Sequence, residues 1–220
     1  MILLSLRSTT LAIAGDDYAL VASDTRLTDE NAGLLFSRNS PHIYDILKFR
    51  TPTIRICLTG FHGDILTFIK LLETRVKASF HEFKYHHKKD ISLTAMANLI
   101  SISLYSRRFF PFYVGTLLAG LDENGEGAVF SYDPVGSYQR EHYRATGTGS
   151  AILQPFMDSQ IQGMNLVSKP TKISREAAIN LAKDIFISAA ERDIFCGDAV
   201  VVDVITQKGV ERLSFPLRRD

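Results

Sequence analysis

Ser8-Thr9-Thr10-Leu11-Ala12-Ile13-Ala14-Gly15 is followed closely by Ala22-Ser23-Asp24-Thr25-Arg26. Leu11–Ala14 and Tyr18–Ala22 are short apolar runs, and Gly15-Asp16-Asp17 between them is turn chemistry, so the pair reads as a β-hairpin. Far along the chain comes Arg192-Asp193-Ile194-Phe195-Cys196-Gly197-Asp198. A hydroxyl at the start of one strand, an Asp-Thr-Arg after the next and a distant Arg-Asp loop are the parts of a hydrolase whose own terminal amine serves as base. Yet Met1–Arg7 stand in front of Ser8. A chain that keeps them has no free amine at Ser8 or Thr9.

Outward from that hairpin, strand and helix signals come in blocks. Ile43–Phe49 and Ile54–Thr59 give a second strand pair, punctuated by Thr51-Pro52. Ile65, Ile69, Leu72, Val76, Phe80 and Phe83 fall on one stripe of a helix that starts near Gly63. Leu93, Met96, Leu99, Ile100 and Leu104 mark a second helix, expected to end at Pro111. Strands return at Tyr113–Leu121 and Gly127–Tyr132, joined across Asn124-Gly125, a strong hairpin signal. A single further strand is expected over Tyr138–Ala145. Gly147-Thr148-Gly149-Ser150 then opens a helix to about Gln160, and Ser174 caps another whose stripe pairs Ala177/Ala178, Leu181/Ala182, Ile185/Phe186 and Ala189/Ala190. Ala199–Thr206 and Val210–Phe215 close the chain around Lys208-Gly209. Strand blocks segregated from helix blocks argue α+β. Two sheets face to face, with a helix pair outside each, bury every stripe. The expected fold is a four-layer αββα sandwich in a single domain over 1–220, with 1–7 as a retained arm.

Composition bounds the function. The 220 residues are 45% hydrophobic and 22% charged, with net charge +1, so no broad electrostatic footprint for nucleic acid or an acidic membrane is expected. Cys57 and Cys196 lie far apart, give no disulfide framework or zinc spacing, and read as buried inert thiols in a reducing compartment. Met1–Arg7 are apolar but too short to span a bilayer or act as a signal peptide. His86, His87, Lys88 and Lys89 read as a solvated helix-end loop rather than a metal or anion site. No cofactor or metal is expected.

Four further segments carry a resemblance. These are Leu104-Tyr105-Ser106-Arg107-Arg108-Phe109-Phe110-Pro111, Ala119-Gly120-Leu121-Asp122-Glu123, Ser131-Tyr132-Asp133-Pro134-Val135-Gly136-Ser137-Tyr138 and Ala189-Ala190-Glu191-Arg192-Asp193. In this order, over this block pattern, the chain resembles the proteasome beta-type subunits of the N-terminal nucleophile hydrolase fold, from about Ser8 to Asp220. Within that family it is most similar to the non-catalytic beta-6 type of the eukaryotic 20S core particle.

The resemblance lays the family's site on this chain. Ser8 stands where active members have their terminal Thr nucleophile, and Arg7 where they have the Gly that permits self-cleavage. Asp24 matches the Asp of their Asp-Ser/Thr-Arg motif. Active members have a Lys on the next hairpin, which lowers the pKa of the amine and relays protons. Here His42 occupies that stretch, and the nearest lysine, Lys48, stands further along the strand. Thr148 stands where a Ser is found, Asp193 matches the supporting Asp, and Cys196 replaces its Ser partner. The resemblance therefore implies a degenerate site and a structural subunit. Asp24 and Asp193 are expected to survive as hydrogen-bond hubs holding the hairpins together, and Thr9 and Thr10 as strand residues.

The implied role is support of the beta ring in ATP- and ubiquitin-dependent protein degradation, within a threonine-type endopeptidase complex of cytoplasm and nucleus. The implied partners are beta-5 and beta-7 type neighbours, the alpha ring and the opposite beta ring. Asp133 and Ser137 are the candidates for lining the substrate channel of the neighbouring beta-5 subunit, with an ordinary Asp-Pro/Gly-Ser turn as the alternative. Phe109-Phe110-Pro111-Phe112-Tyr113 suits either a buried interface or the core. Two other functions stay open on the residues alone. One is a peptidase activated by processing to Ser8 or Thr9, and the other is a free-standing binding domain.

Overall fold

The structure, a computed structural model, describes residues 6–29, 34–46, 54–87, 91–163 and 173–219. The first described element is Leu6–Arg7 (β1). Thr9–Ala14 (β2) and Tyr18–Asp24 (β3) then pair antiparallel, with Ala14 opposite Ala19 across the expected turn. Nearly every residue of the two strands is buried, so both of their faces are covered. Alternation explains how. Leu11, Ile13, Leu20 and Ala22 point into one apolar cluster, while Ala12, Ala19 and Val21 point into another.

Leu27–Asp29 (β4) and Leu35–Ser37 (β5) form a small sheet with β1, in the order β1-β4-β5. Ile43–Tyr44 (β6) and Ile54–Gly60 (β7) are the second expected pair, with Ile43 opposite Cys57. Its turn, with Lys48, Phe49, Thr51 and Pro52, lies outside the described residues, as do Met1–Ser5. His62–His87 (α1) and Leu93–Tyr105 (α2) follow, the latter capped by Ser92, whose hydroxyl accepts from the Ala95 amide. Val114–Leu121 (β8), Gly127–Tyr132 (β9), Tyr138–Glu141 (β10) and Tyr143–Gly147 (β11) come next. Ser150–Gln160 (α3), Arg175–Ala190 (α4), Ala199–Thr206 (β12) and Gly209–Pro216 (β13) complete the described chain.

Two five-stranded antiparallel sheets result, β11-β2-β3-β12-β13 and β10-β9-β8-β7-β6. Their facing sides share the Ala12, Ala19, Val21, Cys57, Leu117 and Ile205 cluster. Phe186, Ile185, Leu153 and Met157 of α3 and α4 cover the outer face of the first sheet. Phe68, Leu72, Met96 and Ile100 of α1 and α2 cover the second. This is the four-layer αββα sandwich of α+β class. The side chains of Phe80, Phe83, His86 and His87 and the residues Lys88 and Lys89 lie outside the description.

Two element expectations are corrected. The run Tyr138–Ala145 is two strands in different sheets. β10 pairs with β9, Glu141 standing opposite Val129, and β11 pairs with β2, Tyr143 standing opposite Ile13. The chain changes sheet at His142, whose carbonyl accepts the Ala14 amide at 2.7 Å. That corner joins the two sheets along one edge. Helix α2 ends at Tyr105 rather than at Pro111. From Arg107 on, amides bond three residues back, Arg107 to Leu104 and Arg108 to Tyr105. Such tightened turns end an α-helix without needing the proline.

Candidate functional site

Four pieces of chain meet at one end of the sandwich: the start of β2, the end of β3, the turn between β11 and α3, and the loop between α4 and β12. The Thr9 amide donates to Asp24 Oδ1 at 2.9 Å. The Gly149 amide donates to Thr9 Oγ1 at 3.0 Å, and Thr148 Oγ1 lies 3.4 Å from the same hydroxyl. The Thr148 amide donates to the Ser8 carbonyl at 3.2 Å. Asp193 and Cys196 lie close enough to Asp24 for charge on one to be felt by the others, and Asp24 Oδ2 has no hydrogen-bond partner among the described residues. Asp24, Thr148, Asp193 and Cys196 are thus brought to one place. Ser8 joins the network through its main chain.

The central hydroxyl is that of Thr9, expected as a strand residue or, on the peptidase alternative, as a processed nucleophile, while the family pattern put Ser8 at the nucleophile position. Its role depends on strand register, Thr9 standing opposite Gly147, and no local motif announces that. Of the role expected for Asp24, the structure shows one bond, from Oδ1 at the end of β3 to the Thr9 amide at the start of β2. Asp193 is different and corrects the paired expectation. Its Oδ1 accepts the Phe195 amide at 3.0 Å within its own turn, and its Oδ2 has no hydrogen-bond partner among the described residues. Among the described residues its hydrogen bonding therefore stays within its own loop and bridges no hairpin.

Electrostatics make the cluster chemically quiet. Burial pushes the Asp24 carboxyl well above the usual range, and nearby Asp193 adds to this against the lowering effect of the Thr9 amide. Burial likewise raises the Cys196 thiol, with Asp24 and Asp193 reinforcing it. A thiol held protonated is a poor nucleophile.

His42 lies in the segment that leads into β6 and is 1% exposed. Its amide donates to Ser23 Oγ at 3.2 Å, and its ring Nε2 lies 3.4 Å from the Arg26 carbonyl. No hydrogen bond joins it to Ser8 among the described residues. Burial drives its pKa down to about 4, with His62 adding a small repulsion, so the imidazole is neutral at physiological pH. A group depressed in this way binds more protons unfolded than folded between about pH 6.5 and 4. Stability is therefore expected to fall as pH drops through that window, and His42→Gln is expected to flatten the fall. Melting temperatures of both proteins across that pH range check this.

A second frame that sequence reasoning missed braces the loop. Arg26 Nε meets Asp198 Oδ2 at 3.0 Å, Arg26 Nη1 donates to the Ile194 carbonyl at 2.9 Å, and Arg38 reaches the other Asp198 oxygen. Burial alone raises the Asp198 carboxyl, but its bonds to Arg26 and Arg38 outweigh that and hold it below the ordinary carboxylate range. Arg26 belongs to the Asp-Thr-Arg motif. Arg38 and Asp198 carry no pattern of their own.

Asp133 and Ser137 flank an exposed turn between β9 and β10. Asp133 Oδ1 accepts the amides of Val135 at 3.1 Å and Ser137 at 2.7 Å, which fixes the turn's shape. Gly136 has φ +91°, and its carbonyl accepts Ser101 Oγ at 2.6 Å. The turn is thereby stapled to α2. Beside it opens a cleft of about 440 Å³ between the edges of the two sheets, lined by Asp133, Ser137, Tyr138, Arg144, Thr146 and Ser150. Among the described residues no group of three or more His, Cys, Asp or Glu could hold a metal ion, and no described helix is long and apolar enough to cross a membrane.

Residues 6–205 match the family model described as "Proteasome subunit". The chain is 47% identical over 213 residues to the proteasome subunit beta type-1-B of Carassius auratus, covering 96% of this chain and 86% of that protein. It is 40% identical over 218 residues to the beta type-1 subunit of Oryza sativa, covering 96% and 94%. It is also 40% identical over 222 residues to the beta type-6 subunit of Saccharomyces cerevisiae, covering 96% and 88%.

Proposed function

Since this chain belongs to the proteasome subunit family, as a beta subunit of the 20S core, we propose that it is a non-catalytic, structural member of the beta ring. The observation that carries this reading is the environment of His42. Terminal-amine chemistry needs a permanent positive charge beside the nucleophile to depress the amine pKa and pass protons. His42 is buried, neutral and hydrogen-bonded towards Ser23 and Arg26 rather than Ser8. A neutral imidazole cannot do the work of an ammonium. The rest of the cluster agrees. The Thr9 hydroxyl is already engaged by Gly149 and Thr148, and Cys196 is a protonated thiol.

The segment before Ser8 supports the same reading. β1 pairs antiparallel with β4, Leu6 opposite Asp29 and Arg7 opposite Thr28. The peptide bond that would have to break to free a Ser8 amine follows directly on that paired strand. In this proposal the arm stays, and the frame around Asp24 and Asp198 serves folding and assembly.

The role then follows. The subunit supports ring assembly beside beta-5 and beta-7 type neighbours, between the alpha ring and the opposite beta ring, in protein degradation that is ATP- and ubiquitin-dependent, in cytoplasm and nucleus. Its nearest approach to chemistry is the Asp133–Ser137 turn, read as lining the beta-5 substrate channel. The turn is rigid, exposed and carries a carboxylate, as a specificity-determining rim requires. In particles carrying Asp133→Ala, chymotrypsin-like cleavage is expected to shift its preference among peptides severalfold, with incorporation unchanged. An unaltered ratio of kcat/KM values across a peptide panel removes the channel-lining role.

A further inference from the structure

The segment after α2 exposes a cluster of rings. Phe109 is 95% and Phe110 74% exposed, and Tyr105 and Tyr113 flank them with more than half of their surface in solvent. Phe112 alone turns inward, 1% exposed, with its ring centroid 5.3 Å from that of Phe68. This decides the choice left open by the sequence: Phe112 is core, while Phe109 and Phe110 are surface. A contiguous apolar patch on a folded chain marks a contact site.

The patch is built rather than loose. The amides of Ser106, Arg107, Arg108 and Phe110 each bond back to the preceding turn, at 3.0–3.1 Å. Ser106 Oγ donates to the Ser103 carbonyl at 2.7 Å. Phe112 anchors the far end in the core. A knuckle already held in one shape loses little conformational freedom on binding.

Its charge is one-sided. The Arg107 guanidinium lies 4.6 Å from the Phe112 ring centroid, and that of Arg108 lies 5.7 Å from both Tyr105 and Phe109. Arg108 also donates to the Tyr105 hydroxyl at 3.1 Å. Neither arginine has a carboxylate partner among the described residues. Exposed rings interleaved with arginine make up the composition of interface hot spots. Two guanidiniums without counter-charge specify the sign of what meets them. The knuckle also runs into the Asp133–Ser137 turn, because the Gly136 carbonyl is bonded to Ser101 one helical turn before Tyr105.

We infer that the Tyr105–Tyr113 knuckle is the docking surface for a neighbouring subunit of the particle, one that presents an apolar socket for Phe109 and Phe110 rimmed by carboxylates for Arg107 and Arg108. The inference rests on assembly into the particle and adds which face of this chain makes a contact and with what chemistry.

Photo-crosslinking in assembled particles tests it. With p-benzoylphenylalanine in place of Phe110, irradiation is expected to yield an adduct to another proteasome subunit, at a peptide containing Asp or Glu. The double change Arg107→Glu, Arg108→Glu is expected to lower incorporation at least tenfold, while Lys208→Glu at the β12–β13 turn leaves it unchanged. An adduct to a second copy of this chain or to a protein outside the particle overturns the inference. So does irradiation of assembled particles without any adduct, or normal incorporation of the charge-reversed chain. Wild-type chain missing from the particles overturns the assembly reading itself, and so is distinguishable from wild-type chain present without an adduct.

Discussion

Replacing Asp203 with alanine is expected to destabilise the chain by about 3 kcal/mol, the low end of the cost of breaking a buried ion pair from one side. Asp203 is fully buried on β12, on the face that meets the opposite sheet. One carboxylate there serves two arginines. Arg55 Nε approaches from β7 of the other sheet at 3.1 Å, and Arg212 on β13 binds through Nε at 2.6 Å and Nη2 at 2.8 Å. Arg212 is half exposed, so water screens much of its share. The cost comes from Arg55, whose buried head would lose its Nε partner and keep Asp45, 3.3 Å away, and the Ile54 carbonyl at 2.9 Å for its Nη1 group. For a chain of this size such a loss lowers the melting temperature by about 10 °C. Asp203→Asn keeps an acceptor and is expected to lose less. A melting temperature of Asp203→Ala within a degree or two of wild type contradicts this role.

Gly147→Ala is expected to cost about as much for a different reason. Gly147 has φ +96°, and a Cβ added there would meet the Ser8 carbonyl oxygen at 1.9 Å. The obstacle is backbone, so no rotamer relieves it. Left-handed geometry costs an L-residue about 1–2 kcal/mol and overpacking about 1–3 kcal/mol more. The start of β2 must move, and with it the Thr148 amide to Ser8 carbonyl bond and the Gly149 amide to Thr9 hydroxyl bond. Amide exchange at Thr148 and Gly149 is expected to quicken together with the fall in stability. Unchanged exchange and stability show that the turn is not what holds Ser8 and Thr9 in place.

These two residues also mark the limit of what could be read in advance. The β2–β3 hairpin, the α4 cap at Ser174 and the β8–β9 turn were legible because turn and cap chemistry is local. The sheet change at His142 was not, since a strand that leaves one sheet for another keeps the same alternation and the same residue types. Asp203 and Arg55 are 148 positions apart in sequence, and nothing near either one points to the other. At the candidate site, Asp24, Thr148, Asp193 and Cys196 were found by family pattern, whereas Thr9 depended on which way a β2 hydroxyl faces. Phe109, Phe110 and Phe112 sit in irregular chain, where no period says which ring turns inward.

The proposed non-catalytic role is tested most directly by the intact mass of this chain from purified 20S particles treated with an epoxyketone that labels terminal-threonine nucleophiles. The expected result is a chain that retains Arg7 ahead of Ser8 and gains no probe mass, while other subunits of the same particles are labelled. A chain that begins at Ser8 or Thr9 and carries one probe adduct contradicts it.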